Sequence, residues 1–264
     1  MRSALDANAL IFEHPDHWNG TTSEDPLHQE RNRLLVGLIP HDVQTLLDVG
    51  CGEGAFAQAA AAAGVRVHAT DRSRAALRRA GLRGTLSDIT GLPFRDHSYD
   101  LVSCIEVIEH LDGRSLAQAV AELARVSKRY LLISVPYREQ RVNQSAKCGS
   151  CGCVFHAWGH RRSFRSLRQV RRLFPGWQPV ATAGLGSQSV YILPGLAWLR
   201  LRLLGRWMWE RSTLCPNCQG SRVETAAVRS TAVTKLLEGV EWRLARERHP
   251  WWMMVTLRRR GGGI

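Results

Sequence analysis

The stretch TLLDVGCGEGAFAQAAAAAGVRVHATD, residues 45–71, decides the fold. An apolar run ends on Asp48, three glycines follow at Gly50, Gly52 and Gly54, an alanine-rich segment of high helix propensity comes next, and an alternating run closes on Asp71. Strand, glycine turn, helix and strand make a βαβ opening. Working outward toward the C-terminus, the same alternation predicts a helix over 72–81, a short strand over 84–88, a strand over 98–106, a helix over 115–128 and a strand over 130–137. Strands and helices in turn predict an α/β protein with a doubly wound, mostly parallel sheet covered by helices on both faces.

Toward the N-terminus, TSEDPLHQERNRLLVGL (22–38) predicts a helix capped near Thr22 or Ser23, ended by Pro40 and packed over the mouth of the site. Beyond the core, 138–222 is an irregular Cys/His/Arg/Trp-rich insert broken by a helix over 163–174. TAVTKLLEGVEWRLARER (231–248) reads as helical, and WWMMVTLRR (251–259) as the last strand. The chain therefore divides into an N-terminal helical cap (1–43), a core (44–137), the insert (138–222), and a C-terminal helix and strand (223–264) that complete the same domain.

With 264 residues, 44% hydrophobic and 22% charged, the chain can bury a substantial core, which excludes wholesale disorder, collagen and coiled coil. The net charge of +13 is uneven: residues 1–150 hold 17 Lys/Arg against 18 Asp/Glu, and 151–264 hold 19 against 5. Eight of the nine tryptophans also lie in the basic back half, which points to an anionic neighbour: nucleic acid, a lipid headgroup or a glycan. The opening residues hold no apolar run of signal-peptide length, and no window reaches the ~18 apolar residues of a membrane span, so a reducing cytoplasm is expected.

The turn at 48–55 satisfies the loose G-x-G-x-x-A dinucleotide pattern, but its acidic neighbours argue against a pyrophosphate. Carboxylates at Asp48 and Glu53 suit a ligand bearing an ammonium and a sulfonium, while the exposed glycine N–H groups accommodate one carboxylate; that ligand is S-adenosylmethionine. Asp71, ending the second strand, can accept both hydroxyls of a ribose, and Asp88, ending the third, lies near an adenine.

LLDVGCGEG, HATDRS, SDITGLPFRDHSYDLVSCIEVIEHL and LLISVPYRE together resemble the class I S-adenosylmethionine-dependent methyltransferases, in the ubiquinone-type or type 11 branch, over roughly residues 44–137. The resemblance implies a seven-stranded Rossmann-like methyltransferase fold. It also implies that Asp48, Gly50, Gly52 and Gly54 surround the methionine moiety, that Asp71 holds the ribose, and that Asp88 and Ile89 meet the adenine. Ile105 and Glu106 would line the methyl-donor pocket.

On the acceptor side, His110 is the candidate base, with Glu109 orienting its ring; a plain helix cap is the competing reading of the pair. Glu106, Glu109 and His110 also form E-x-x-E-H, with His156 and His160 downstream, which resembles the divalent-metal site of small-RNA 2′-O-methyltransferases; the three share a face only if the segment is helical.

Cys148-Gly149-Ser150-Cys151 and Cys215-Pro216-Asn217-Cys218 are two C-x-x-C knuckles able to complete a closed, tetrahedral, structural Zn2+ site, with 63 residues (152–214) between them. Cys153, His156 and His160 are alternative ligands. KCGSCGCVFHAWGHRRSF (147–164) further resembles an insert of type 11 methyltransferases of glycan and lipid-linked saccharide pathways; on that resemblance His156, Trp158, His160, Arg161 and Arg162 face the acceptor. LAWLRLRLLGRWMWER (196–211) reads as an ordinary helix packed on the sheet or as a basic amphipathic stretch able to lie on an anionic membrane, at its inner face.

Together these readings predict O-methylation of a small molecule, saccharide or lipid-linked glycan, with S-adenosyl-L-methionine and structural Zn2+ as cofactors. The alternatives are an RNA methyltransferase that holds phosphates with its basic back half and a binding module that uses the cofactor pocket without catalysis.

Overall fold

Adjacent residues on the central strands point to opposite faces, and each face has its own core. Leu47, Val102, Leu131 and Ile133 pack on one side with Leu116, Ala119, Leu123, Val170 and Phe174. Leu46, Leu101, Leu132 and Met254 pack on the other with Leu35, Phe56 and Ala60. A strand buried on both faces reads as a near-continuous apolar run, as 130–133 does.

The computed structural model describes residues 12–13, 25–191, 214–218 and 245–261, with scattered positions between 198 and 243. The elements are α1 (Pro26–Gly37), β1 (Thr45–Val49), α2 (Ala55–Ala62), β2 (Arg66–Asp71), α3 (Arg74–Ala80), β3 (Gly84–Leu86), β4 (Tyr99–Ile105), a 3₁₀ turn (Ile108–His110), α4 (Gly113–Val126), β5 (Ser127–Pro136), β6 (Ser145–Lys147), β7 (Val154–His156), α5 (Leu167–Leu173), β8 (Trp177–Leu185), β9 (Gln188–Tyr191), β10 (Ala245–His249) and β11 (Trp252–Arg259). Seven strands form one sheet in the order β3-β2-β1-β4-β5-β11-β8. The first five run parallel, and β11 lies antiparallel between β5 and β8. The order reverses between β1 and β4, so the crevice at their carboxyl ends is where a ligand is expected.

Four boundaries differ from the sequence reading. The first helix begins at Pro26, and its cap is Asp25, whose carboxylate accepts the Leu27 N–H at 2.7 Å; proline at the first helical position outcompetes the earlier Thr22 and Ser23. Residues 245–248, expected to end a helix, pair with β9 as strand β10. The sixth strand of the main sheet, β8, lies inside 138–222, so the cysteine knuckles come from two excursions, one before β8 and one after it. Asp88 stands two residues past the end of β3. Most of 196–211 and of 231–244 lies outside the described residues. Among the described residues no helix is long and apolar enough to cross a membrane.

Candidate active site and cysteine cluster

The glycine turn is built by backbone that only glycine adopts freely: φ is +74° at Gly50, +54° at Gly52 and +82° at Gly54. A Cβ on Gly50 would collide with Val107 Cγ2, and one on Gly54 would meet Ala80 at 2.7 Å. The N–H groups of Gly50 and Cys51 both donate to the Thr70 carbonyl, at 2.8 and 3.1 Å, binding the turn to the end of β2. Asp71 completes that link, accepting the Gly52 N–H at 2.9 Å on Oδ2 and the Ser73 N–H at 2.8 Å on Oδ1.

Beneath the turn, Asp48 is buried and accepts the Ser103 hydroxyl at 2.7 Å. Burial raises its pKa to about 7, against the pull of that hydrogen bond. Asp88 Oδ1 accepts the Thr90 N–H at 2.8 Å and its hydroxyl at 2.6 Å, which fixes the loop after β3.

These residues meet on one cavity of about 810 Å3. Asp48, Gly50, Gly52, Asp71, Asp88, Ile89, Ile105, Glu106 and His110 line it; Gly54 does not, and packs instead against α3. Sequence reasoning missed Arg31 and Asn32, which α1 lowers over the opening, and Trp251 and Trp252, which close the far side. The Arg31 guanidinium lies 4.9 Å from the Trp252 ring centroid, a cation–π contact that joins the two walls. The placement of the first helix over the mouth was legible; which of its residues face inward was not, because that depends on its rotation.

Glu106 leaves β4 with φ +55°, and its Oε1 accepts the Ser134 hydroxyl at 2.6 Å. Burial raises its pKa, against the nearby Arg31 and that hydroxyl. Glu109 follows in the 3₁₀ turn with its side chain 0% exposed; burial first and the Glu106 charge second push its pKa well up. The 106–110 segment is thus not a helix, and the E-x-x-E-H residues do not share a helical face. His110, expected as the base, is held at a pKa of about 3 by burial and by the neighbouring His160 and His156, so it is a neutral ring and a weak proton acceptor.

The irregular segment after β5 brings a second group of side chains to the same wall. His160 Nδ1 faces both oxygens of Glu139, at 2.8 and 2.9 Å, and the His160 ring stacks on His156 at 4.7 Å. Burial opposes ionisation of Glu139, but hydrogen bonds to His156 and His160 outweigh it and bring its pKa to about 2. Trp158, 40% exposed, and His160 line the cavity; Arg162 donates instead to the Leu111 carbonyl at 2.6 Å.

The two knuckles meet despite their separation. Cys148 Sγ lies 3.5 Å from Cys218 Sγ, and Cys151 Sγ lies 3.6 Å from Cys215 Sγ. Each knuckle aims a backbone N–H at its first sulfur, Ser150 to Cys148 and Asn217 to Cys215, both at 3.4 Å. The Asn217 amide and the Cys153 backbone bring the Cys151 thiol down to about 6. Cys218 goes up to about 12, against the Gly220 backbone, because it shares protons with Cys148 and Cys151. Four sulfurs at this spacing suit one tetrahedral zinc with bonds of about 2.3 Å. Cys153, His156 and His160 stand outside the group; His160 lines the cavity, and His156 stacks on it.

A mostly parallel sheet that reverses order between its first and fourth strands, closed by an antiparallel last strand and carrying acids at the carboxyl ends of β1 and β2, is the arrangement of a class I S-adenosylmethionine-dependent methyltransferase domain, and this chain carries one. Residues 47–131 match the family described as methyltransferase domain. The ubiquinone biosynthesis O-methyltransferase of Bordetella parapertussis is 33% identical over 124 residues, 41% of this chain and 51% of that protein. The chain thus spans about half the length of the curated relatives it matches. In fold it is similar to a SAM dependent methyltransferase from Archaeoglobus fulgidus (TM-score 0.56, 15% identity, 95% of this chain and 99% of that one). It is also similar to the N-methyltransferase NodS from Bradyrhizobium japonicum, solved with S-adenosyl-L-homocysteine (TM-score 0.51, 14% identity, 97% and 98%).

Proposed function

We propose that this protein transfers the methyl group of S-adenosyl-L-methionine to an oxygen of a small molecule, a saccharide or a lipid-linked glycan. One observation carries the reading: a single cavity of about 810 Å3 runs from the glycine turn past Glu106 to His160, Trp158 and Trp251, leaving room for an acceptor beside the donor. The ubiquinone-type relatives support oxygen as the atom methylated.

In this reading Asp71 accepts the ribose hydroxyls, Asp88 and Ile89 border the adenine, and Asp48 with Gly50 and Gly52 surrounds the methionine moiety. Gly54 permits the turn without touching the ligand. Ile105 and Glu106 flank the methyl group. A bound cofactor would supply the methyl group on an electrophilic sulfonium. The chain's own task is to align the acceptor and exclude water; Trp158 and Trp251 offer faces on which a ring can stack.

The four cysteines are proposed to hold a structural zinc, with every coordination position filled by thiolate. The acceptor is tested by incubating labelled methyl donor and the protein with fractionated cell extract. Label in a small-molecule or glycolipid fraction is expected; label in RNA would replace the reading with the nucleic-acid alternative, and no uptake by any fraction would favour a binding module.

A further inference from the structure

The ribbon formed by β6 and β7 has a cysteine knuckle at its tip and the wall of the cavity at its base. Cys148 and Cys151 lie in the turn between the two strands, where the Cys148 N–H donates to the Cys153 carbonyl and the Gly152 N–H to the Cys148 carbonyl, both at 2.9 Å. Three residue pairs follow: Lys147 with Val154, Ala146 with Phe155 and Ser145 with His156. At the base the Ala157 N–H donates to the Gln144 carbonyl at 2.7 Å, and here Gln144, Ala157, Trp158 and His160 line the cavity. At the rise of a strand, knuckle and cavity wall stand about 10 Å apart along one piece of backbone.

Both ends of the ribbon are tied to other parts of the chain. At the base, His156 Nδ1 accepts the N–H groups of Trp158 and His160, both at 3.2 Å, and Glu139, just past β5, accepts from His160 Nδ1 at 2.8 Å. At the tip, Cys148 and Cys151 meet Cys218 and Cys215 of the second excursion. That excursion grips the flank as well, since Ser145 and Val154 share a small apolar pocket of about 140 Å3 with Trp198, Leu201 and Trp207. A two-stranded ribbon is marginal in water by itself, so these ties set its shape.

One polar atom at the base is left over. Gln144 Oε1 is buried without a hydrogen-bond partner, and its residue faces the cavity. Buried polar atoms in folded proteins are paired, so this amide oxygen calls for a donor from a ligand.

We propose that the four-cysteine group is a positioning element for the acceptor: closing the two knuckles sets the ribbon, and the ribbon holds Gln144 ready to accept a hydroxyl or N–H of the acceptor beside the face of Trp158. The donor end does not share this dependence, since Gly50, Cys51 and Gly52 donate to Thr70 and Asp71. The cysteines touch neither ligand. They act through Gln144 and Trp158, so opening the knuckles raises the amount of acceptor needed and leaves donor affinity alone. The acceptor's part in this rests on the methyl-transfer reading; the mechanical link from tip to base does not.

Amide hydrogen exchange of the full-length protein, read by mass spectrometry, tests the link. In Cys218→Ser, exchange should rise about tenfold or more over 143–147 and 154–160 as well as at the tip, 148–153, with 45–71 and S-adenosylhomocysteine affinity unchanged. Cys218→His, which keeps a ligand for zinc, should restore most of the protection. A rise confined to 148–153 would overturn the proposal, because Glu139 and His160 would then suffice to hold the base. Gln144→Ala should raise the half-saturating amount of the extract fraction that takes up labelled methyl about tenfold, with zinc content and maximal rate retained. An unchanged half-saturating amount would overturn the assignment of Gln144. Uptake by no fraction, beside the expected exchange pattern in Cys218→Ser, would count against the methyl-transfer reading and support the link.

Discussion

The glycine turn and the cysteine knuckles both bend the backbone so that N–H groups point at a chosen atom, but they reach that end by different routes. In the turn, Gly50, Cys51 and Gly52 donate to Thr70 and Asp71, all within the 45–71 stretch, and the conformation closes on itself. In the knuckles, Ser150 and Asn217 donate to sulfurs held on two excursions either side of β8. The turn is self-sufficient, whereas the knuckles are half-sites that meet only in the folded chain, where the proposed zinc would lie between them. The difference predicts that the cofactor end survives damage to the insert, while the insert does not survive loss of the proposed zinc.

Removing the metal puts that asymmetry to its harshest test. A structural zinc in a small peptide contributes on the order of 10 kcal/mol. Stripping the ion with a thiol reagent and chelator should therefore introduce a separate low-temperature unfolding transition from the insert, with the sheet's own transition and its S-adenosylhomocysteine affinity retained. A single shared transition before and after stripping, or zinc-free protein purified without chelator, would erase the contrast.

At the turn, Asp71→Ala removes a carboxylate that fixes two N–H groups and faces the cavity. With charge-assisted hydrogen bonds at about 1.5–3 kcal/mol each, cofactor binding measured by calorimetry should weaken at least ~100-fold. Unchanged affinity would remove the ribose assignment. Gly50→Ala forces a side chain into left-handed backbone against Val107, a cost of about 2–3 kcal/mol, and the melting temperature should drop by several degrees. Adding Val107→Ala should recover the steric part of that loss and leave the backbone part; no recovery would mean that the close approach in the structure is not where the strain lies.

Legibility followed the same divide. The βαβ opening, the strand termini at Asp48 and Asp71 and the last strand could be read because propensity, periodicity and turn chemistry coincide within short windows. The two C-x-x-C motifs were visible as chemistry, yet nothing local says that knuckles with 63 residues between them meet. Placing β8 inside the supposed insert shows why: its TLRR-facing partner β11 comes nearly seventy residues later, and its half-exposed alternation is weak beside the buried strands. His110 could be singled out as a candidate, but its enclosure beside His160 could not be read, since enclosure is a tertiary fact. Glu139 carried no signal at all until the chain folded His160 onto it.

The smallest effect concerns Asp48, and it separates the charge of the turn from its shape. Burial lifts this carboxyl from about 3.8 in the unfolded chain to about 7 in the ligand-free protein. A raised folded pKa means that its stabilising contribution is present below the unfolded value and is lost as pH rises through about 4 to 7, so Asp48→Asn should flatten that part of the stability profile. The ligand's ammonium needs the ionised form, so cofactor affinity should change in the opposite sense, strengthening about tenfold between pH 6 and 8. Calorimetry on Asp48→Asn over the same range controls for titration of the ligand itself and should show little of this gain. An equal pH dependence in both proteins would mean that the turn recognises the cofactor by its backbone alone, and the carboxylate beneath it would then be there for Ser103.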